Sequence, residues 1–522
     1  MADKKEGGIY KSVAVVFIIS LLCRVFGFLR EIVIGNNYGT DVESDAYFMA
    51  IRIFTIFALL FGYMWTTTYT PIYTRAYGDG TDRKEADRLT TNLLNILILA
   101  AIVVTALLEI FAEPVAHLIA PGFDGAKLKM TVNMCRIIFP ALLFYGLYYY
   151  FSAVLNSQKK FAIVEGVTIF VGLGVIMGLY IFKGMFGAYA ISVGAFMAYF
   201  LQFAFMLPSI IKSYKYRPQS PLINFKEEKT KEFFKLLAPS AIGVAASEIN
   251  NIIDSMVAST LVDDGKVAAL NYSQRINTFA ISVLVTPIIT VIFTKLSEIA
   301  KDKEENKDDG FSVSLRNGIE AISMIAIPVT ALVMASSTEI IKIIYQRGAF
   351  DENSVKMTAF SLMWYIFGLA FYGYKTLFNR AFYALKNTVI PMIAGVIVIG
   401  ANLVFDLLLK GPMDVGGLAL ANAIGMFAGS VYVIIVYTKK FGKINLDGFF
   451  KQHFFILLGS AVAVVIYVFM GKLFSNLYLR FLIPGALGLL AYAAICIVFK
   501  VRQFTEILDM ILRKLHLKKG NK

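Results

Sequence analysis

The chain has 522 residues, 58% of them hydrophobic and 16% charged, with a mean hydropathy of +0.68. Soluble domains carry about 25% charged residues, so this composition excludes an ordinary soluble domain and indicates an all-α polytopic membrane protein. The three cysteines and three histidines lie far apart in the sequence, so neither a disulfide framework nor a thiolate metal site is indicated.

Apolar runs of about 20 residues, the length that crosses a bilayer, predict fourteen transmembrane helices. The first run begins within "MADKKEGGIYKSVAVV" and has no small-residue cleavage site after it, so we interpret it as a retained span. The predicted spans are 12–30, 45–70, 90–112, 131–155, 161–182, 186–208, 233–258, 267–294, 313–335, 355–383, 388–410, 415–438, 452–472 and 476–500.

The distribution of lysine and arginine predicts the orientation. With the N-terminus in the cytoplasm, the cytoplasmic segments hold 34 of the 50 basic residues and the opposite loops hold 10. The positive-inside rule therefore places both termini in the cytoplasm. The net charge of +14 comes from basic cytoplasmic segments that lie beside anionic lipid. Nucleic-acid binding is not needed to account for it.

Six basic residues lie inside predicted spans, where a charge costs at least about 2.5–3.5 kcal/mol. They are Arg24, Arg30, Arg52, Arg136, Arg275 and Lys375. A bend at Gly27 would bring Arg24 and Arg30 to one space. The alternative is that each arginine extends to the membrane surface or pairs locally, as Arg30 could with Glu31.

The two halves of the chain resemble each other. "AYFMAIRIFTIFALL" (46–60) aligns with "ALNYSQRINTFAISVL" (269–284), which sets Arg52 on Arg275, and the segment from Phe144 aligns with that from Phe371. The pattern predicts two pseudo-symmetric six-helix lobes with a site at their interface, although chance similarity between apolar helices is an alternative. Arg52 and Arg275, with Asp45 two turns before Arg52, would then line a water-filled cavity that binds an anion.

The second half also carries oxygen-bearing side chains within its predicted spans. Asp254, Asn402, Asp406 and Asn422 are carboxylates and amides, the groups that bind hard cations. Hydrogen bonding between helices is the alternative reading of the same residues. The composition of the tail 501–522 predicts a basic amphipathic helix on the cytoplasmic leaflet.

Several motifs together resemble the MurJ/MviN family of the MOP exporter superfamily, in a Gram-positive, Clostridium-like version. They are "CRVFGFLRE", "SDAYFMAIRI", "INNIIDSMVASTL", "ALNYSQRI", "YQRGAFDENS", "NRAFYALKNTVIP" and "GGLALANAIG". The resemblance implies an N-lobe (1–225, spans 1–6), a C-lobe (226–440, spans 7–12), a C-terminal helix pair beside a lipid groove (441–500) and a cytoplasmic tail (501–522).

The resemblance also implies site residues. The substrate cavity would contain Arg24, Arg30, Glu31, Asp45, Arg52 and Arg275, and a Na+ site would contain Asp254, Asn402, Asp406, Leu418 (through its carbonyl) and Asn422. Proteobacterial members carry an Arg-Arg pair and a Glu deeper in helix two, where this chain reads "TIFALLFGYMW". Any role of that cluster is either absent here or filled by Arg52, and the difference leaves the exact glycan open.

The function implied by the resemblance is that of a flippase, a transporter and not an enzyme. It would move lipid II, the undecaprenyl-diphosphate-linked peptidoglycan precursor, across the bacterial plasma membrane by alternating access, as a monomer without cofactor apart from Na+. One alternative is a flippase for another polyprenyl-linked glycan. A multidrug antiporter of the same fold would need an acidic cavity, and a glycosyltransferase would need catalytic groups in a large external domain.

Overall fold

The computed structural model describes residues 2–78, 83–214, 223–302, 310–442, 444 and 448–519. Every regular element within these ranges is helical, as the composition predicts. The chain separates into two compact units. The first comprises Met1–Ala268 and Arg347–Phe350, and the second comprises Ala269–Gln346 and Asp351–Lys522.

The first unit contains twelve α-helices in its described part. They are α1 (Ala2–Tyr38), α2 (Val42–Ala58), α3 (Tyr63–Gly78), α4 (Arg83–Ile110), α5 (Ala112–Ile119), α6 (Gly125–Ile138), α7 (Ala141–Ser157), α8 (Phe161–Gly166), α9 (Ile169–Phe186), α10 (Ala190–Ala204), α11 (Leu207–Tyr214) and α12 (Glu228–Ser259). Helices α9 and α10 touch through glycine: a Cβ added to Gly178 would lie 2.2 Å from the Cα of Gly194. Small residues allow this close approach. The resulting van der Waals packing holds helices together inside a membrane, where the hydrophobic effect does not drive their association.

The second unit contains the remaining helices, the first of which begins at the unit boundary. They are α13 (Lys266–Ala280), α14 (Thr286–Asp302), α15 (Gly310–Tyr345), α16 (Glu352–Phe367), α17 (Leu369–Ala384), α18 (Val389–Phe441), α19 (Phe449–Gly471), α20 (Leu477–Val498) and α21 (Arg502–Lys519). A π-helical turn, Ile281–Val285, joins α13 to α14. Helix α18 reverses at Asp414, which has φ 51° and ψ −133°. The core is aromatic and aliphatic, with Phe378, Phe382 and Tyr437 at its centre.

Nine helical segments in the described part of the chain are long and apolar enough to cross a membrane, or ten if the bent pair α6 and α7 forms one span. Two of the nine, Phe161–Lys212 and Val389–Phe441, each contain two of the predicted spans. Two further predicted spans lie on α1 and α12, where part of the side chains falls outside the described residues. The observed helices are long enough to contain all fourteen predicted spans, but the number fourteen stays a prediction.

The internal repeat is visible in the backbone at the ends of α7 and α17. Lys159 and Lys386, which the repeat aligns, both adopt the left-handed conformation, with φ 61° and 56°. The next residue in each copy bonds to the carbonyl five residues before it. These bonds are Lys160 N to Leu155 O at 3.0 Å and Asn387 N to Phe382 O at 2.8 Å. Two identical helix ends at the same offset support a repeat of structure as well as of sequence.

The predicted lobes divide at residue 225, whereas the compact units divide at 268. Packing density and internal symmetry are different criteria, so the lobe limits stay a prediction. The second unit includes α19, α20 and α21, so the predicted C-terminal pair and tail pack as part of it.

Candidate functional site

Helix α1 is continuous through Gly27 and carries Arg24 and Arg30. Arg24 is exposed, whereas the Arg30 side chain is 15% exposed and its Nη2 lies 2.5 Å from Oε1 of Glu31, which is 1% exposed. Pairing with Glu31 was the local alternative for Arg30, and the structure contains that pair. Arg24 is thus the more exposed of the two arginines of this helix.

A carboxylate that the sequence reading missed lies against the same helix. Glu165, in α8, accepts a hydrogen bond from the hydroxyl of Ser20, and its backbone carbonyl accepts one from Sγ of Cys23 at 3.4 Å. Both donors belong to the helical turn that precedes or includes Arg24. The sequence could have indicated this residue, because a single glutamate inside the apolar run 161–182 is unusual in a membrane span.

Asp45 is fully buried in α2 and holds several partners at once. Its carboxylate accepts hydrogen bonds from the backbone N–H groups of Gly265, at 2.8 Å, and Ala268, at 2.7 Å. Nζ of Lys127 lies 2.7 Å from the same carboxylate and 3.0 Å from Asp264. The N–H groups at the start of α13 have no carbonyl partner within the helix, and a negative charge is favourable there. The carboxylate of Asp45 supplies both the acceptor and the charge. Its role in substrate binding stays a prediction, and Lys127 was not expected here.

Arg52 and Arg275 occupy similar positions in the helices that the repeat aligns. Arg52 is half-buried in α2, and Arg275 is exposed in α13. Each helix loses its regular α geometry soon after its arginine. A 3-10 turn, Leu59–Phe61, follows α2, and the π-helical turn follows α13. Irregular turns of this kind often occur at functional positions in helices.

The candidate sodium ligands fall in both units. Asn402 and Asp406 are completely buried on one face of α18, with Nδ2 of Asn402 3.4 Å from Oδ2 of Asp406. Leu418 is buried and Asn422 half-buried beyond the reversal of the same helix. Asp254 belongs to the first unit, where Nδ2 of Asn250 lies 3.3 Å from its carboxylate.

The donor atoms of this set are all oxygens, which fits a hard monovalent cation. Within the described ranges, no group of three or more His, Cys, Asp or Glu residues could hold a metal ion. A cation at Asn402 and Asp406 would therefore depend on amide and carbonyl oxygens beside its carboxylates. Oxygen ligands of this kind suit hard cations, and Na+ stays a prediction at these residues.

Comparison with known proteins agrees with this architecture. A family model described as "Lipid II flippase MurJ" matches residues 34–492. The chain belongs to the MurJ family. A "Probable lipid II flippase MurJ" of Treponema pallidum (strain Nichols) is 27% identical over 471 residues, which cover 88% of each protein.

Two solved structures share the fold. One, titled "Lipid II flippase MurJ, inward closed conformation", has a TM-score of 0.80 and 24% identity, and the match covers 95% of this chain and all of that one. The other is an inward-facing multidrug resistance MATE family transporter of the MOP superfamily, with a TM-score of 0.65 and 13% identity. That match covers 82% of this chain and 98% of the other. At these identities the likeness concerns the fold, and the family match separates MurJ from MATE.

Proposed function

We propose that this protein is a lipid II flippase that moves the lipid-linked peptidoglycan precursor from the inner to the outer leaflet. The observation that carries this conclusion is the MurJ family match over residues 34–492. The protein is an integral membrane transporter and not an enzyme. For its location we propose the bacterial plasma membrane, with both termini in the cytoplasm because the basic residues concentrate on that side.

We propose that arginines recognise the diphosphate of the substrate. Guanidinium binds phosphate through two parallel hydrogen bonds and stays charged at physiological pH. Arg24 and Arg275 are the most accessible of the candidates, Arg52 is half-buried, and Arg30 is already paired with Glu31. We therefore rank Arg24 and Arg275, by their exposure, above Arg30 and Asp45 as direct substrate contacts, and Arg52 stays a candidate through its alignment with Arg275.

The charge of the substrate supplies a driving force for export. A negative headgroup that leaves a negative-inside cell gains about 2.3 kcal/mol per charge per 100 mV. Sodium at Asn402 and Asp406, with Asp254, Leu418 and Asn422 as further ligands, would bias the cycle by binding one conformation more tightly. The working unit in this proposal is the monomer, because each chain already carries both halves of the repeat.

Two experiments test the function. In a depletion strain, loss of the protein should cause lipid II to accumulate in the inner leaflet. Purified protein in vesicles should then move fluorescent lipid II between leaflets faster than protein-free vesicles do. Accumulation of a different polyprenyl-linked glycan would instead support the alternative flippase. Export of organic cations without lipid II movement would support the multidrug antiporter and contradict the proposal.

A further inference from the structure

Helix α15 carries two carboxylates, Glu320 and Glu339, that bind arginines at the two ends of α20. Glu320 and Glu339 are 19 residues apart, which corresponds to about 29 Å along an α-helix at its usual rise. The hydrocarbon core of a bilayer is about 30 Å thick. The two carboxylates are thus spaced to lie near opposite faces of the membrane.

The Glu320 end is buried. The Glu320 side chain is 1% exposed, and its Oε2 lies 2.7 Å from Nη2 of Arg502, the first residue of α21. The same guanidinium donates to Asn317 of α15, and the backbone N–H of Arg502 donates to Oε1 of Gln452 in α19 at 3.2 Å. One arginine therefore bonds to both α15 and α19 immediately after α20 ends.

A second guanidinium shares the buried carboxylate. Nε of Arg316, one turn earlier in α15, lies 3.4 Å from Oε1 of Glu320. Burying a carboxylate is unfavourable unless its charge is compensated, and removal of one partner from such a pair is strongly destabilising. Glu320 is therefore held in a network that fixes the position of Arg502.

Neutral hydrogen bonds join the same helices next to this network. Ser323 Oγ lies 2.8 Å from Nε2 of His453 in α19 and 2.7 Å from the hydroxyl of Tyr374 in α17. The hydroxyl of Tyr492 in α20 donates to the carbonyl of Met324 at 2.7 Å. Both helices of the C-terminal pair are thus hydrogen-bonded to one short stretch of α15.

The opposite end has a more accessible pair. Nε of Arg480, in the first turn of α20, lies 3.2 Å from Oε1 of Glu339, and the two side chains are 52% and 13% exposed. Exposed ion pairs contribute little to stability. This pair therefore contributes chiefly by fixing where α20 begins on α15.

We propose that Glu320 and Glu339 are positioning residues that hold the C-terminal pair α19 and α20 on α15 throughout transport. The pair is then a fixed part of the second unit and not an arm that swings away from α15. The test that measures flipping rests on the proposed flippase function. The test that measures hydrogen exchange depends only on how the helices pack.

The first test replaces the accessible ion pair with a covalent bond. In a cysteine-free background that flips lipid II, Glu339→Cys and Arg480→Cys are joined by a reducible bis-methanethiosulfonate linker, and the joined fraction is measured by mass spectrometry. We expect the unjoined variant to flip more slowly than the background, the linker to restore flipping, and a reductant to remove that restoration. If the linker stops flipping, or if the unjoined variant flips at the background rate, the positioning proposal is wrong.

The second test does not depend on transport. Hydrogen exchange of purified Glu320→Gln should be faster in α20 and in the first turns of α21, with α9 and α10 of the first unit unchanged. Lys472→Met is the matched control, because Lys472 is exposed near the start of α20 and lies over the Phe469 ring. Unchanged exchange in Glu320→Gln would overturn the positioning role. Failure of the wild-type protein to flip lipid II would refute the function without affecting this result.

Discussion

The carboxylate of Asp45 accepts a hydrogen bond from the backbone N–H of Ala268 at 2.7 Å, across 223 residues of sequence. Nζ of Lys127 lies 2.7 Å from the same carboxylate and is the charged partner of Asp45. We expect Lys127→Met to destabilise the purified protein by about 3–5 kcal/mol, the usual cost of leaving one member of a buried pair uncompensated. The measurement is the midpoint of thermal unfolding in detergent.

Asp45→Asn provides the control for this prediction. Combined with Lys127→Met it removes the uncompensated charge, so the double variant should be more stable than Lys127→Met alone. Strictly additive losses would show that Asp45 and Lys127 do not stabilise each other.

Asp351 gives a prediction with a defined pH dependence. Its Oδ1 accepts hydrogen bonds from the backbone N–H and the hydroxyl of Ser354, both at 2.8 Å, at the start of α16. The backbone bond and then the hydroxyl bond from Ser354 hold the pKa of Asp351 below its usual value. A lowered folded-state pKa stabilises the protein above the unfolded pKa, about 3.9. This contribution disappears as the pH falls through the folded-state value.

The comparison variant is Asp351→Asn, which keeps a good N-cap but has no charge. We expect the wild type to unfold at a higher temperature than Asp351→Asn at pH 6, and the difference to shrink as the pH falls below about 4. Asp351→Ala should lose about 1 kcal/mol at neutral pH, as cap removal usually does. A wild-type advantage that does not shrink between pH 6 and pH 3 would contradict the assigned role of the charge.

Sodium should stabilise the wild-type protein against heat more than potassium does at equal ionic strength. Asp406→Ala and Asp254→Ala should each abolish this difference, because a bound ion that favours the folded state raises the unfolding temperature. Asp414→Asn is the matched control, since it changes a carboxylate at the reversal of the same helix. If the wild type does not distinguish Na+ from K+, Asn402 and Asp406 serve only as a hydrogen-bonded pair within α18.

The all-helical class, the repeat and several local pairs could be predicted from the sequence because they depend on composition and short spacing. Asn402 and Asp406, four residues apart, share a face as expected, and Glu31 pairs with its neighbour Arg30. Pro140 marks the 44° bend between α6 and α7, which a reading of apolar runs alone treats as one straight span.

The long-range partners could not be predicted in the same way. Lys127 meets Asp45 from 82 residues away, and Arg502 meets Glu320 from 182 residues away. Sequence spacing gives no distance between helices, and a single sequence shows no co-variation that would reveal these pairs. The break after α8 was also missed, since "EGVT" in an apolar run resembles a continuous span.

The central claim is that arginine side chains recognise the diphosphate, and Arg275 tests it most directly because its side chain is exposed. The measurement is growth of a depletion strain that carries Arg275→Met or Arg275→Lys, scored beside the amount of protein in the membrane and the binding of purified lipid II. We predict that Arg275→Met is present at the wild-type level but neither supports growth nor binds lipid II. Arg275→Lys should recover part of both, since ammonium keeps the charge but loses the paired hydrogen bonds. Normal growth of Arg275→Met at wild-type protein levels would contradict the claim.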